Sequence, residues 1–397
     1  MDKLGSRWWV PCALAFVGGC SLIASKDDFS FGGADGGGPD LASAGDGGLD
    51  GGQEGCVGAV PPSRVTAQDA PGSQRYVVVL REILIDQRGE PGADPASAPW
   101  RSIGYNLDGQ CTTTTETASE CRPASEGAPL QVDGNGGIDN TFGNSFFPVL
   151  ALGAAGIDSE LTDAQQRGVG ALMLIIDDWN GGRDDSRVTV TVTQSVLGTP
   201  GMNGGGAPAI DVVGSEAFLS SDGVTPAPSP RWDGNDYFWG RSDTFIANDV
   251  NTPNVRVTTA YVTGGVLVAR LPDRTPLRLL GSNLGLEMTL TDPIATGNIY
   301  DLFIAPQATP PQFIVGGRWG YNDILAQGPN VGVCIGTPLF RTLQTILGNM
   351  VDALQDPPSV ADPSVPCDAL STAIRFDGYS GHFGGVATGQ DIPSPCP

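Results

Sequence analysis

One stretch constrains this chain more than any other: ALMLIIDDWNGGRDDSRVTVTVTQSV, residues 171–196. Residues 171–177 form a continuous apolar run of strand length. Val188, Val190 and Val192 then alternate with threonines, which is the period of a strand with one buried face. Asn180-Gly181-Gly182 between the two halves supplies the positive-φ residues of a hairpin. A chain carrying this segment must build a sheet and bury one side of it.

The rest of the sequence repeats that grammar. RYVVVLREILI (residues 75–85) is a β-branched run. Further strands are predicted at 209–213, at 255–271 as a hairpin turning at Gly264-Gly265, and at 277–280, 284–290 and 313–315. DALSTAIRF closes the series. NSFFPVLALGAAG reads as a short helix, and a second is expected from Asp158 or Ser159. TPLFRTLQTILGNMVDAL is the best helix: Thr337 caps it, Pro338 stands at the first helical position, and Leu339, Leu343, Ile346, Met350 and Leu354 form one apolar stripe. Many strands with Gly/Pro turns and few helices predict a mainly β fold. The expected architecture is a β-sandwich, jelly-roll or lectin-like, with one or two packed helices. No repeat or internal linker breaks residues 56–397, which read as a single β-rich domain.

The amino terminus reads differently. Lys3 and Arg7 precede a short apolar run that ends in Val17-Gly18-Gly19-Cys20. That run is shorter than the roughly 20 residues a bilayer span needs. The four-residue string resembles the lipobox of bacterial lipoproteins. The resemblance implies a signal peptide over 1–19 and a diacylglyceryl thioether on Cys20, an anchor strong enough to hold a protein at a membrane. Ser21 after the lipidated cysteine implies outer-membrane sorting, on a face the sequence does not specify. Residues 20–55 are mostly Gly, Asp, Ala and Ser and read as a disordered tether, since they offer almost nothing to bury.

Charge excludes one class of partner. The chain has 44 acidic and 21 basic residues, a formal net charge of −23, so nucleic acid is not expected to bind. Six cysteines follow Cys20, an even number that suits disulfides in an exported chain. Spacing does not fix their connectivity. The arrangement favoured here is Cys111–Cys121 across a local loop, Cys334–Cys367 around a helix and Cys56–Cys396 tying the ends. A zinc site is disfavoured, because His382 is the only histidine and no Cys-x-x-Cys occurs.

The segments VDGNGGIDNTFG, IDDWNGGRDD, GGRWGYNDIL and CDALSTAIRF resemble a group of uncharacterised bacterial outer-membrane lipoproteins with DGxGGIDN, WNG and GRW…D segments. The resemblance implies a family and no reaction. Three loops concentrate oxygen ligands: 133–140, 177–185 and 233–236. Calcium takes six to eight oxygens, and glycines let a loop wrap around it. Asp133, Asn135 and Asp139 are therefore the candidate calcium ligands, and Asx-turns without an ion are the alternative. Trp232, Tyr237 and Trp239 are candidate sugar-stacking residues, the alternative being core filling. Ser380 and His382 in GYSGH do not match a nucleophile elbow, so no catalytic residue is assigned.

These features predict a lipid-anchored cell-envelope protein with a binding or structural role and no enzymatic one. Its partners would be the membrane, through the lipid, and a polysaccharide or another envelope protein. The alternatives are a carbohydrate-binding module and, behind it, a glycan-active hydrolase with paired carboxylates.

Overall fold

The computed structural model describes residues 58–66, 71–85, 87–89, 92–115, 118–153, 157–196, 218–219, 226–227, 229–281, 285–357, 361–389 and 395–396. All lie within one compact unit, Asp40–Pro397. The signal, Cys20, the tether, Cys56 and the strand expected at 209–213 lie outside the described residues.

The strands are β1 (Tyr76–Leu84), β2 (Leu172–Asp177), β3 (Asp185–Val196), β4 (Phe218–Leu219), β5 (Pro226–Ala227), β6 (Tyr237–Arg241), β7 (Val255–Thr263), β8 (Val266–Arg270), β9 (Thr275–Leu280), β10 (Gly285–Asn298), β11 (Gln312–Gly320) and β12 (Ala369–Ala387). Strands β1, β2, β3, β7, β8, β10, β11 and β12 pair in chain order, antiparallel throughout. Strand β12 then pairs back onto β1. The sheet is a closed eight-stranded antiparallel barrel, not the expected β-sandwich. Alternating burial along a strand is the same in both architectures. What separates them is whether the first and last strands meet, and that contact, Val77 with Gly381, spans most of the chain.

Registers fix the two ends. At one end the connections are short: the 178–184 hairpin, the Gly264-Gly265 turn, and the α3 (Ile299–Phe303) segment leading to β11. The other end carries every long excursion, after β1, β3 and β11, together with the β9 hairpin. Bulges at Glu82 in β1 and Asp292 in β10, both at positive φ, bend the strands at that crowded mouth.

The interior is apolar and filled. Val78, Leu80, Leu174, Ile176, Val190, Val262, Leu267, Ile374 and Phe376 belong to one buried cluster. Phe313 packs so closely that a Cβ on Gly297 or Gly378 would stand 2.0 or 2.2 Å from its ring. A π-helical turn (Phe142–Phe146) running into α1 (Phe147–Gly153) plugs the crowded mouth, with Phe142 and Phe146 against Trp319. Helices α2 (Ile157–Gln166), α4 (Tyr321–Gln327) and α5 (Pro338–Gly348) add Leu161, Leu325, Leu343 and Leu347 to the same cluster. Outward residues of β7 (Arg256, Thr258, Thr259) are exposed. Apolar inside and polar outside is the inverse of a transmembrane barrel. The outward face of β1 and β2 is instead covered: Val77, Val79, Met173 and Ile175 pack against Phe238, Phe245 and Phe383. Most expected strands are present. The cap on α5 also stands, with Thr337 Oγ1 accepting from Phe340 N. Its buried stripe is rotated, because Phe340, Leu343 and Leu347 face inward and Leu339 is 48% exposed. Helix α2 begins at Ile157, ahead of both expected caps.

The disulfides correct the sequence reading. Cys121 bonds Cys367 and Cys334 bonds Cys396. Cys111 is disulfide-bonded as well, to a partner outside the described residues. Cys111–Cys121, Cys334–Cys367 and Cys56–Cys396 are therefore all excluded. Nearness in sequence misled, because the 119–122 loop runs beside the approach to β12, with Arg122 bridged to Pro366. Peptide mapping without reduction should recover the 121–367 and 334–396 links. Replacing both Cys121 and Cys367 by alanine should lower stability in urea by about 2–5 kcal/mol.

Candidate functional site

The best-defined polar site lies at the crowded mouth, and it starts from a problem of backbone pairing. Strand β12 pairs with β11 from Ala369 onward but reaches β1 only at Arg375. One edge of residues 369–374 thus meets no barrel strand. Buried backbone groups need partners, and loops supply them. Ala369 pairs with Ala353. Ser371 N donates to Asp352 Oδ1 at 2.8 Å, and Ala373 N donates to Asn140 Oδ1 at 3.1 Å. Gln87 Nε2 donates to Ala373 O at 2.8 Å, and Asn140 Nδ2 donates to Gln87 Oε1 at 2.7 Å. The DGNGGIDN loop therefore serves first as a stitch for an unpaired edge.

That stitching draws carboxylates together. Asp108, Asp133, Asp139 and Asp352 line one small cleft, with about 10 Å³ open to the centre of a water-sized sphere, beside Thr112 and Cys367 of the Cys121–Cys367 bridge. Asp139 Oδ2 accepts from Leu107 N at 2.6 Å, and Asp133 Oδ2 accepts from Thr112 N at 2.6 Å. Asp352 Oδ2 accepts from Thr141 Oγ1 at 2.7 Å and Ser371 Oγ at 2.5 Å. Asp108 Oδ1 accepts from Gln110 N at 2.7 Å. The tight wrap needs Gly137, at φ 81°, where a Cβ would stand 2.7 Å from Asn106 Nδ2. Beside the cleft, Arg318 Nη2 donates to Glu120 Oε2 at 3.0 Å, and both residues are buried. Five carboxyl groups thus stand against one guanidinium.

The electrostatics follow. Burial, together with the Asp108 and Asp352 charges, pushes Asp133 up to about 7. Burial raises Asp352 to about 6 despite its Ser371 and Thr141 bonds. Asp139 is pushed well above the usual carboxylate range by burial and by all three neighbours. Burial raises Asp108 and Glu120 as well, with Arg318 opposing both.

The expected ligand set is only partly assembled. Asp133 and Asp139 line the cleft. Asn135 does not: it is exposed, and its backbone N–H donates to Arg101 O at 2.7 Å. Asp108 and Asp352 were missed. Asp352 is more than two hundred positions away in sequence, and the only local signal for Asp108 was its place in an Asn-Leu-Asp-Gly turn. Among the described residues, no three His, Cys, Asp or Glu groups stand close enough to hold a metal ion as they are. The other two oxygen-rich loops are turns. Asp177 pairs with Arg75, Asp178 accepts from Thr189 Oγ1, and Asp185 accepts from Asn180 N. Asp236 accepts from Arg231 N and Trp232 N.

The aromatic segment does not form a strip. Trp239 is 2% exposed and packs with Val196 and Ala387. Trp232 lies against Phe238, Tyr379 and the Arg81 guanidinium. Tyr237 stacks on exposed His382 with ring centroids 5.0 Å apart. No family model, curated protein or solved structure matches this chain.

The raised carboxyl groups set a pH dependence. Below about pH 4 they are protonated whether the chain is folded or not. Above that the unfolded chain releases protons that the folded one retains, so stability falls as pH rises toward 7. With chelator present, the urea midpoint should fall between pH 4.5 and 7.5, and Asp133→Asn should flatten that slope. A midpoint that rises over this range would contradict the assignment.

Proposed function

We propose that this protein is a lipid-anchored component of a bacterial cell envelope, most simply the outer membrane, with a binding or structural role. We further propose that the cleft at the barrel mouth takes a calcium ion. The anchor reading is supported by the Val17-Gly18-Gly19-Cys20 string and the acidic Gly-rich stretch after it. It is also supported by disulfides in the folded body, which persist in oxidising compartments.

One observation carries the calcium reading: Asp108, Asp133, Asp139 and Asp352 converge on a single cleft. Like charges gathered in a partly desolvated space are stabilised either by protons or by a cation. Calcium suits this donor set because it accepts carboxylate, backbone and water oxygens in a flexible shell. Entry of the ion would displace the protons that the raised carboxyl groups retain. A sugar-stacking surface at Trp232, Tyr237 and Trp239 is disfavoured by the burial of Trp239.

Calcium added to chelator-treated protein at pH 8 should raise the melting temperature. At a hundred times its Kd, the ion should contribute about 2.7 kcal/mol. Asp108→Asn with Asp133→Asn should abolish the rise, and an unchanged wild-type melting temperature would remove the reading. For the anchor, mass spectrometry of membrane-extracted protein should find a chain that starts at acylated Cys20. An intact Met1 terminus would overturn it.

A further inference from the structure

Asn135 shares a loop with Asp133 and Asp139 but stays outside the cleft that they line. It opens one of the three Asn-Gly-Gly strings of the chain, which begin at Asn135, Asn180 and Asn203. The first two lie among the described residues and the third does not. An asparagine followed by glycine carries a latent reaction. Glycine has no Cβ to crowd its backbone nitrogen or restrict its rotation, so that nitrogen can reach the carbonyl carbon of the preceding side chain.

The two described strings form a matched pair. Both asparagines are exposed. Each precedes a glycine in the left-handed region, Gly136 at φ 67° and Gly181 at φ 77°. They differ in what holds the side chain. Asn180 Oδ1 accepts from Gly182 N at 2.6 Å, and Asn180 Nδ2 donates to Asp184 O at 3.1 Å. The backbone N–H of Asn180 donates to Asp185 Oδ2 at 2.9 Å, so the residue is held from three sides. The Asn135 side-chain amide has no hydrogen-bond partner among the described residues, and neither has Gly136 N. Asn135 is held only through its backbone N–H, which donates to Arg101 O at 2.7 Å. The turn around it is closed by a long contact, Gly137 N to Gly134 O at 3.4 Å. The Asn135 side chain can rotate toward Gly136 N, whereas Asn180 must first give up two hydrogen bonds.

We propose that Asn135 is a site of spontaneous deamidation, which adds a carboxylate to the 133–140 loop as the protein ages, and that the turn around Asn180 protects the second string. Gly136 N forms a bond to Asn135 Cγ. The Cγ–Nδ2 bond breaks, and the side-chain nitrogen leaves as ammonia with the proton from Gly136 N. A five-membered succinimide remains. Water opens that ring at either carbonyl and yields aspartate or isoaspartate. Either product places a third carboxylate in the loop, beside Asp133 and Asp139. Isoaspartate also lengthens the main chain by one carbon, in the loop whose Asn140 pairs with Ala373 of β12. The reaction needs no ion in the cleft.

The test follows the strings in one sample. The purified full chain is incubated in mildly alkaline buffer, folded and in guanidinium chloride. Cleavage at arginine places the three asparagines on separate peptides, and mass spectrometry reads the conversion of amide to acid in each. In denaturant, Asn135 and Asn180 should convert at similar rates, because Gly-Gly follows both. In the folded protein, Asn135 should convert about tenfold faster or more, the rate effect of the two hydrogen bonds retained at Asn180. Isoaspartate-specific methylation should label the Asn135 peptide over the same time course, and Asn135→Gln should abolish that label. Three outcomes overturn the proposal: no conversion at Asn135 in the folded protein; equal rates at Asn135 and Asn180 in the folded protein; or a preference for Asn135 as large in denaturant as in the fold, which would assign it to local sequence.

Discussion

The structure turns on how a closed sheet satisfies its last strand. Eight strands in a ring leave no edge, provided each strand is paired along its whole length. Strand β12 is too long for that. It is joined to β11 from Ala369 but to β1 only from Arg375. The six residues between would bury unpaired amides at the mouth, a cost of about 1–3 kcal/mol for each one left unmet. Asn140, Gln87, Asp352 and Ala353 meet it from loops that come from quite different parts of the chain.

Much else follows from that repair. The loop that brings Asn140 also brings Asp133 and Asp139. The segment that carries Asp352 also carries Ala353, and the Cys121–Cys367 bridge holds the 119–122 loop against the same strand. The carboxylate cleft is thus a by-product of edge repair, placed where four polar segments must converge. This gives an account of how a barrel with a filled apolar interior comes to present a chemically distinctive site. The site is not in the barrel but in the packing over its open seam. The opposite end is closed by short turns and by Tyr76, Trp179 and Phe303, and has no comparable gap among the described residues.

Charge is distributed with the same logic. Acidic side chains are consumed in turns and caps throughout, as with Asp185, Asp236 and Asp139, where the carboxylate accepts backbone N–H groups. Surplus acidity collects in the cleft. A single net charge of −23 conceals that concentration. The calcium proposal rests on a local field that composition averages away.

Local physics was legible in the sequence. An apolar run marked β2, alternation marked β3, Gly264-Gly265 marked the β7–β8 turn, and Thr337-Pro338 marked the start of α5, because each depends on residues within a few positions. The Asp-Gly-Asn loop was visible as unusual, and two of its three proposed ligands do face the cleft. Closure of the barrel was not legible, nor was the pairing of the cysteines, nor the arrival of Asp108 and Asp352 beside Asp133. The reason is the same in each case. Strand period, turn chemistry and capping are short-range, whereas the meeting of β1 with β12 or Cys121 with Cys367 is decided by the whole chain's packing, which no local pattern records.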